Sequence, residues 1–144
     1  MEHDHRQFSK ESWLRVVWSP LYEVDIGPHV DGIGDRACLD ILDKHLPQIL
    51  GPAPDLVIYL AGADPFREDL LGGLGLSKAG LRERDRLVFE ECRAAGARVA
   101  VTLAGGYACD TDDTVAIHGV TVEEALGDFR ARGDQPCTDR ASPI

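Results

Sequence analysis

Two residues with reactive side chains follow apolar, strand-like runs of the chain. Asp64 ends the sequence LVIYLAGAD, and Tyr107 ends RVAVTLAGGY. A carboxylate binds divalent cations, and a phenol carried by the flexible pair Gly105-Gly106 donates a hydrogen bond to an oxyanion. Taken singly, an aspartate after a strand is more often a turn residue, and a tyrosine after two glycines often only packs. Their joint placement raises the probability of a site.

The apolar runs before these residues predict two strands of a parallel sheet. Residues 56–60 show no polar alternation, which is typical of a strand covered on both faces. Residues 98–103 form a second short apolar run, which is also followed by small residues. Ligands of open α/β sheets bind beyond the carboxyl ends of the strands, so adjacent parallel strands would open Asp64 and Tyr107 into one crevice.

Helices are predicted before, between and after these strands. Leucines at helical spacing indicate a helix from Arg36 to about Leu50, with Asp35 as its N-cap and Pro47 as a kink or early end. A second helix is predicted from Ser77 to about Ala95, stopped by Gly96. A third begins near Asp110 or Thr111 and ends near Arg130, and its early acidic residues favour the helix dipole.

The remaining segments complete an α/β pattern. Residues 13–18 predict a leading strand, whereas 22–35 are punctuated by glycine and proline and predict a loop. The glycines at 72, 73 and 75 indicate a turn or a pocket wall, since no phosphate-binding motif is present and acidic residues lie nearby. Alternating strands and helices predict a parallel sheet of about three strands with helices packed on it.

Composition limits the partners that the chain can take. The 144 residues carry a net charge of −10, which disfavours nucleic acid and membrane surfaces and would favour a basic peptide. No apolar run approaches the ~20 residues of a membrane helix. The four cysteines form no CxxC pair, and without a signal peptide they are interpreted as reduced thiols of a cytoplasmic protein.

An ordered series of motifs resembles a known family. It comprises Ala61-Gly62-Ala63-Asp64, then Asp69, Leu71-Gly72, Leu76-Ser77 and Ala104-Gly105-Gly106-Tyr107. The series is similar to the carboxyl-terminal half of the zinc-dependent histone deacetylases, especially the class IV and bacterial members. Asp25–Asp35 resembles the segment leading into that half, and Asp113–His118 its closing helix, so the likeness covers roughly residues 25–126.

The resemblance implies a partial arginase/deacetylase-type three-layer α/β fold. It also implies zinc-dependent hydrolysis of acetyl-lysine or of acetylated, polyamine-like small amines. Asp64 takes the place of one of three zinc ligands, and Tyr107 that of the residue stabilising the oxyanion. Gly105 and Gly106 would let the Tyr107 loop approach the substrate.

The family draws the rest of its site from its amino-terminal half. That half supplies a zinc-binding DxH motif and a general-base His-His pair, both of which we expect this chain to lack. Since a catalytic zinc needs three protein ligands, the chain alone is predicted to be inactive until a missing amino-terminal half completes it. His45 and His118 are interpreted as structural, and His29 is the histidine to test.

Two other functions are compatible with the sequence. One is a degenerate module that binds acetylated ligands without turnover. The other is a receiver domain with Asp64 as phosphoacceptor, although no lysine follows the second strand and the first lacks an acidic pair. The domain prediction is a lead segment at 1–24, a deacetylase-like part at 25–131 and a disordered tail at 132–144.

Overall fold

A computed structural model describes residues 32–133, together with the backbone of two short strands before them. The predicted roles of His29 and of the tail beyond residue 133 lie outside these residues. The elements in chain order are the strands β1 (Arg15–Trp18) and β2 (Tyr22–Asp25), the helix α1 (Asp35–Leu50), the strand β3 (Leu56–Gly62), the helix α2 (Lys78–Ala94), the strand β4 (Arg98–Ala104) and the helix α3 (Thr111–Ala131).

The leading strand does not join the parallel sheet among the described residues. β1 pairs antiparallel with β2, Arg15 opposite Asp25 and Trp18 opposite Tyr22, in a separate two-stranded sheet. The loop predicted for 22–35 was therefore wrong over Tyr22–Asp25. The glycines and prolines that suggested a loop all follow this strand, and the four residues that precede them have a partner close in sequence.

β3 and β4 form the parallel pair that the sequence predicted. Their register runs from Leu56 opposite Arg98 to Gly62 opposite Ala104. With α1, α2 and α3 this makes a mixed α/β arrangement, consistent with part of a deacetylase fold. The described sheet has two strands rather than three, because the leading strand pairs elsewhere.

The first helix ends where the sequence predicts, at Leu50, but its start differs from the prediction. Gly34 is the N-cap residue, and Asp35 is the first residue of α1. The Asp35 carboxylate instead accepts hydrogen bonds from the backbone N–H and the hydroxyl of Ser77, both at 2.7 Å. Pro47 does not end the helix, which continues to Leu50, and Pro47 lies on its exposed side.

The second helix begins and ends as its sequence predicts. The Ser77 hydroxyl accepts a hydrogen bond from the Gly80 N–H at 3.0 Å, which satisfies one of the free donors of the first turn. Gly96 follows the helix with a φ of +74°, a conformation that costs glycine little. The apolar stripe Leu81, Val88 and Cys92 is buried, as the helical spacing indicates.

The third helix packs on the second through charged pairs around a small buried face. Asp110 caps α3 by accepting from the Asp112 N–H at 2.9 Å, and Ile117 and Thr121 are its buried residues. Arg82 of α2 forms a 2.6 Å pair with Glu124 of α3. Further pairs between the two helices are Lys78 with Asp113 and Arg93 with Asp128.

All three helices contribute to one core on one face of the β3–β4 pair. Val57 and Tyr59 of β3 and Val99 of β4 pack against that core. The Tyr59 ring meets Phe89 of α2 edge to face at 5.9 Å. The opposite face of β3 is exposed within the described part of the chain, so the prediction that this strand is covered on both faces is not met there.

Candidate functional site

The carboxyl ends of β3 and β4 meet at one edge of the sheet and bring the two predicted site segments together. The ladder continues one residue past the strands, since the Ala63 N–H donates to the Ala104 carbonyl at 3.1 Å. The parallel register therefore places the loop that begins at Asp64 beside the loop of Gly105, Gly106 and Tyr107. The predicted convergence of the two strand exits is what the structure contains.

The Asp64 carboxylate lies directly against the glycine loop. Its Oδ1 accepts a hydrogen bond from the Gly106 N–H at 3.0 Å. A β-carbon on Gly105 would lie 2.0 Å from Asp64 Oδ2, and one on Gly62 would lie 2.9 Å from the same atom. Gly105 also has a φ of +58°. Glycine is thus required at 105 both by the backbone angle and by the space that the carboxylate fills.

Asp69 connects the two loops, a role that the sequence did not reveal. Its Oδ1 accepts from the Leu71 and Gly72 N–H groups at 2.8 and 2.7 Å, which organises its own turn. Its Oδ2 accepts from the Tyr107 N–H at 2.6 Å. The Leu70 N–H in turn donates to the Tyr107 carbonyl at 2.9 Å. The Tyr107 backbone is therefore held on both sides, and its side chain remains 60% exposed.

The glycine-rich turn after Asp64 serves close packing. A β-carbon at Gly72 would lie 1.8 Å from the backbone oxygen of Asp64, so any side chain there would displace the site aspartate. The Gly75 N–H donates to the Ile33 carbonyl at 2.8 Å, and the Gly32 N–H to the Gly73 carbonyl at 2.7 Å. Of the two predicted roles for these glycines, the structure shows the turn with close backbone approach.

His118 reaches the same loop from α3. Its Nε2 lies 3.2 Å from the Gly105 carbonyl oxygen, so a proton on this nitrogen is donated to the loop. Its Nδ1 is buried and has no partner among the described residues. Thr114 lies one turn earlier, where a β-carbon on Gly106 would come within 2.6 Å of its methyl group. His118 therefore contacts the backbone of the site loop.

A buried polar network lies behind the end of β3. Arg84 of α2 donates to the Gly62 carbonyl at 2.7 Å and, through Nε and Nη2, to Asp85 Oδ1 at 2.9 and 2.7 Å. Asp85 also accepts from the hydroxyls of Tyr59 at 2.5 Å and Thr121 at 2.6 Å. One carboxylate thereby joins β3, α2 and α3 just before the strand delivers Asp64.

The buried network shifts the pKa values of its own titratable side chains. Burial raises the pKa of Tyr59 far above its ordinary value, because the phenolate would lose hydration. Burial alone would lower the pKa of Arg84, but the neighbouring Tyr59 and the Asp85 carboxylate raise it. At neutral pH the network therefore holds a neutral phenol and a charged guanidinium. These groups hold the strand end in place and are closed to substrate.

The described residues do not by themselves form a metal site. Among residues 32–133 no group of three His, Cys, Asp or Glu side chains is placed to hold an ion, so Asp64 has no further metal ligands beside it there.

The prediction that the chain contains no DxH motif was wrong as a statement about the sequence, since Asp43-Lys44-His45 has that spacing. The triplet lies inside α1, where residues two apart do not share a face, and Asp43 is exposed while His45 is half-buried.

The cysteines give no sign of a redox or metal function in the described part. Cys38 and Cys92 are buried and unpaired, and Cys109 is exposed and unpaired. Burial raises the pKa of the Cys92 thiol to about 11 and also raises that of Cys38. Both buried thiols are thus neutral core residues at physiological pH.

Comparison with known proteins identifies the family. Residues 21–122 match the family model described as "Histone deacetylase domain". An uncharacterized protein of Picosynechococcus sp. is 43% identical over 91 residues, which make up 62% of this chain and 30% of that protein. The chain belongs to the histone deacetylase family. It matches less than a third of the length of this curated relative.

The match agrees with the series of motifs recognised in the sequence. It includes Asp64 and Tyr107, and it favours the deacetylase interpretation over a receiver domain with Asp64 as phosphoacceptor. None of the described helices is both long enough and apolar enough to cross a bilayer.

Proposed function

We propose that this chain supplies one wall of a zinc-dependent deacetylase site that cleaves acetyl-lysine or acetylated small amines. The observation that supports this most directly is the joining of the two strand exits. Asp64 accepts from the Gly106 N–H at 3.0 Å, and the residue after Gly106, Tyr107, is exposed. A carboxylate and an exposed phenol at one sheet edge suit acyl-group hydrolysis.

The role proposed for Asp64 is that of one zinc ligand among three. One of its carboxylate oxygens is held by the Gly106 N–H, which orients the group as an outer-shell partner orients a metal ligand. The described residues lack the other two ligands, so zinc does not fit this part of the chain alone. Polypeptide outside residues 32–133 must therefore complete the site.

The role proposed for Tyr107 is donation of a hydrogen bond to the oxyanion formed from the acetyl carbonyl. Its backbone is fixed through Asp69 and Leu70, whereas its side chain is free to meet a substrate. Removing one such donor typically costs about 10²–10³ in kcat. Gly105 and Gly106, both at positive φ, bring the backbone close to Asp64 without side chains in the way.

A single-chain chimera tests the proposal without requiring two fragments to associate. Residues 32–133 of this chain replace the matching segment of the Picosynechococcus relative, and the product is assayed for zinc content and for hydrolysis of an acetyl-lysine peptide and acetylated polyamines. We expect Asp64→Asn to lose most of the zinc. We expect Tyr107→Phe to retain zinc and to lose about 10²–10³ in kcat.

Two results would contradict the proposal. If Asp64→Asn kept a full equivalent of zinc, Asp64 would not be a ligand. If a folded, zinc-loaded chimera hydrolysed none of the acetylated amines, the chain would not belong to a deacetylase site. The exposed Glu83→Gln change on α2 is a matched control, since it removes one carboxylate away from the strand exits.

A binding module without turnover is the second candidate function. The lack of a three-residue metal-binding group among residues 32–133 favours it, because the chain as described cannot hold a catalytic metal alone. It predicts that the intact chain binds an acetylated lysine peptide in calorimetry and that the bound peptide keeps its acetyl group. A flat titration removes this candidate.

A further inference from the structure

Two consecutive backbone N–H groups of the loop after β4 donate to two different aspartates. The Gly106 N–H donates to Asp64 Oδ1 at 3.0 Å, and the Tyr107 N–H donates to Asp69 Oδ2 at 2.6 Å. The backbone between them turns at Gly106, where φ is +110°. The place of Tyr107 relative to Asp64 is therefore set by a second carboxylate, which follows Asp64 by five residues.

The N–H of Tyr107 depends on a side chain, whereas its carbonyl is held by backbone. Asp69 forms an isolated antiparallel bridge with Ala108, and the Leu70 N–H donates to the Tyr107 carbonyl at 2.9 Å. Within residues 32–133 the acceptor for the Tyr107 N–H is the Asp69 carboxylate. Loss of that carboxylate would therefore release one side of the Tyr107 backbone and leave the other side bonded.

We propose that Asp69 is a positioning residue that sets the place of the Tyr107 phenol for the reaction through its bond to the Tyr107 N–H. The proposal rests on the proposed function, in which Tyr107 donates to the oxyanion. Both oxygens of Asp69 are occupied by backbone N–H groups, so Asp69 itself does not act on the substrate. Its effect on the reaction passes through Tyr107.

The hydrogen bonds of Asp69 require a carboxylate rather than an amide. Its Oδ1 accepts from the Leu71 and Gly72 N–H groups at 2.8 and 2.7 Å, whereas its Oδ2 accepts from Tyr107. A carboxylate accepts at both oxygens, but an asparagine amide has one acceptor and one donor group. In Asp69→Asn the amide oxygen should stay with the two donors of its own turn. The amide NH₂ would then face the Tyr107 N–H, donor against donor.

The size of the expected effect follows from the exposure of Tyr107. Its side chain is 60% exposed, so its backbone decides where the phenol can reach. A misplacement of about 1 Å can cost about 10²-fold in rate. A displaced phenol cannot cost more than a deleted one, which costs about 10²–10³ in kcat. We therefore expect Asp69→Asn to lower kcat by between about 10-fold and about 10²-fold.

The first test measures the bond itself in the intact chain. Backbone amide hydrogen exchange is followed by NMR in the wild type and in Asp69→Asn. We expect exchange at Tyr107 to rise at least tenfold more than exchange at Ala61 of β3, a comparison that removes any general loss of stability. Asp40→Asn is the matched control, since it makes the same chemical change on an exposed side chain of α1 and should leave this ratio unchanged.

A second variant applies if Asp69→Asn does not fold. Asp69→Ser keeps a hydroxyl that can accept from its own turn, and it places no amide against the Tyr107 N–H. The same relative rise in exchange at Tyr107 is expected. Equal rises at Tyr107 and Ala61 in the variant that folds would overturn the proposal.

The second test is kinetic and uses the single-chain chimera. Asp69→Asn should keep its zinc and its KM and lose about 10–10²-fold in kcat. In the Tyr107→Phe background the same change should lower kcat less than threefold, because the phenol through which Asp69 acts is already gone. Equal losses in the two backgrounds would overturn the proposal, as would a change confined to KM.

The positioning role and the proposed function fail separately. A folded, zinc-loaded chimera that hydrolyses no acetylated amine refutes the proposed function, whatever the exchange at Tyr107 shows. An active chimera in which Tyr107→Phe loses kcat and Asp69→Asn does not keeps the function and refutes the positioning role.

Discussion

Asp85 is the residue whose loss should cost this fold most. It is 1% exposed and accepts hydrogen bonds from Arg84, Tyr59 and Thr121. Asp85→Ala would leave the Arg84 guanidinium, itself 6% exposed, without its counter-charge. Breaking a buried pair in this way costs about 3–5 kcal/mol. A domain of this size has a total unfolding free energy of about 5–15 kcal/mol, so the loss is a large share.

A graded series keeps the measurement possible if Asp85→Ala does not fold. Thr121→Val and Tyr59→Phe each remove one hydrogen bond to the carboxylate and should cost about 1.5–3 kcal/mol. The double variant Arg84→Met, Asp85→Leu removes both charges and should cost less than the sum of its single changes. Asp40→Ala is the control, since its pair with Arg36 is 3.9 Å long and exposed, and should cost under about 0.5 kcal/mol.

Urea-induced unfolding of the intact chain, followed by circular dichroism at neutral pH, gives these free energies. An Asp85→Ala variant within about 1 kcal/mol of the wild type would refute the reasoning. Strict additivity in the double variant would refute the coupling between Arg84 and Asp85 even if the single losses were large.

Two further predictions follow from backbone geometry and from burial. Gly105→Ala should destabilise the fold by about 2 kcal/mol or more and shift the Gly106 amide resonance, because its β-carbon would lie 2.0 Å from Asp64. Gly119→Ala in α3, where a β-carbon would have nothing within 4 Å, should stabilise the fold by up to about 1 kcal/mol. The opposite ranking of the two unfolding free energies would contradict the geometry. The pKa of Cys92 rises from 9.0 in the unfolded chain to about 11 when the thiol is buried. Between pH 9 and 11 the unfolded state therefore binds fewer protons than the folded state. The unfolding free energy should fall over this range by up to about 3 kcal/mol. Unfolding titrations of the wild type and of Cys92→Ala check this, and an equal slope in both would assign the pH dependence to other groups.

Elements with local determinants were predictable from sequence. α2 needs only its Ser77 cap, its apolar stripe and Gly96, all within or beside its own residues, and each acts as predicted. The convergence of Asp64 and Tyr107 was also predictable, because two similar runs separated by a helix follow the rule for parallel strands. Both predictions rested on local sequence pattern and on the order of strands and helices along the chain.

Elements decided by distant contacts were not predictable. Asp35 precedes a helix and so suggested a cap for α1, but its carboxylate bonds to Ser77, 42 residues later. Asp69 and His118 support the loop of Tyr107 through contacts 38 and 13 residues away in sequence. Short polar side chains satisfy whichever donors the tertiary fold brings near, and a single sequence does not reveal which those are.

The glycines around Asp64 affect whether its side chain becomes ordered during folding or only when a ligand binds. Gly62, Gly72 and Gly105 each leave room beside Asp64 that a β-carbon would occupy, and the Gly106 N–H holds one oxygen of its carboxylate. The entropy lost in fixing that side chain is lost when the chain folds, before any ligand arrives. A ligand that binds Asp64 would thus meet a carboxylate that the fold already orients, and less affinity would be lost in fixing that side chain.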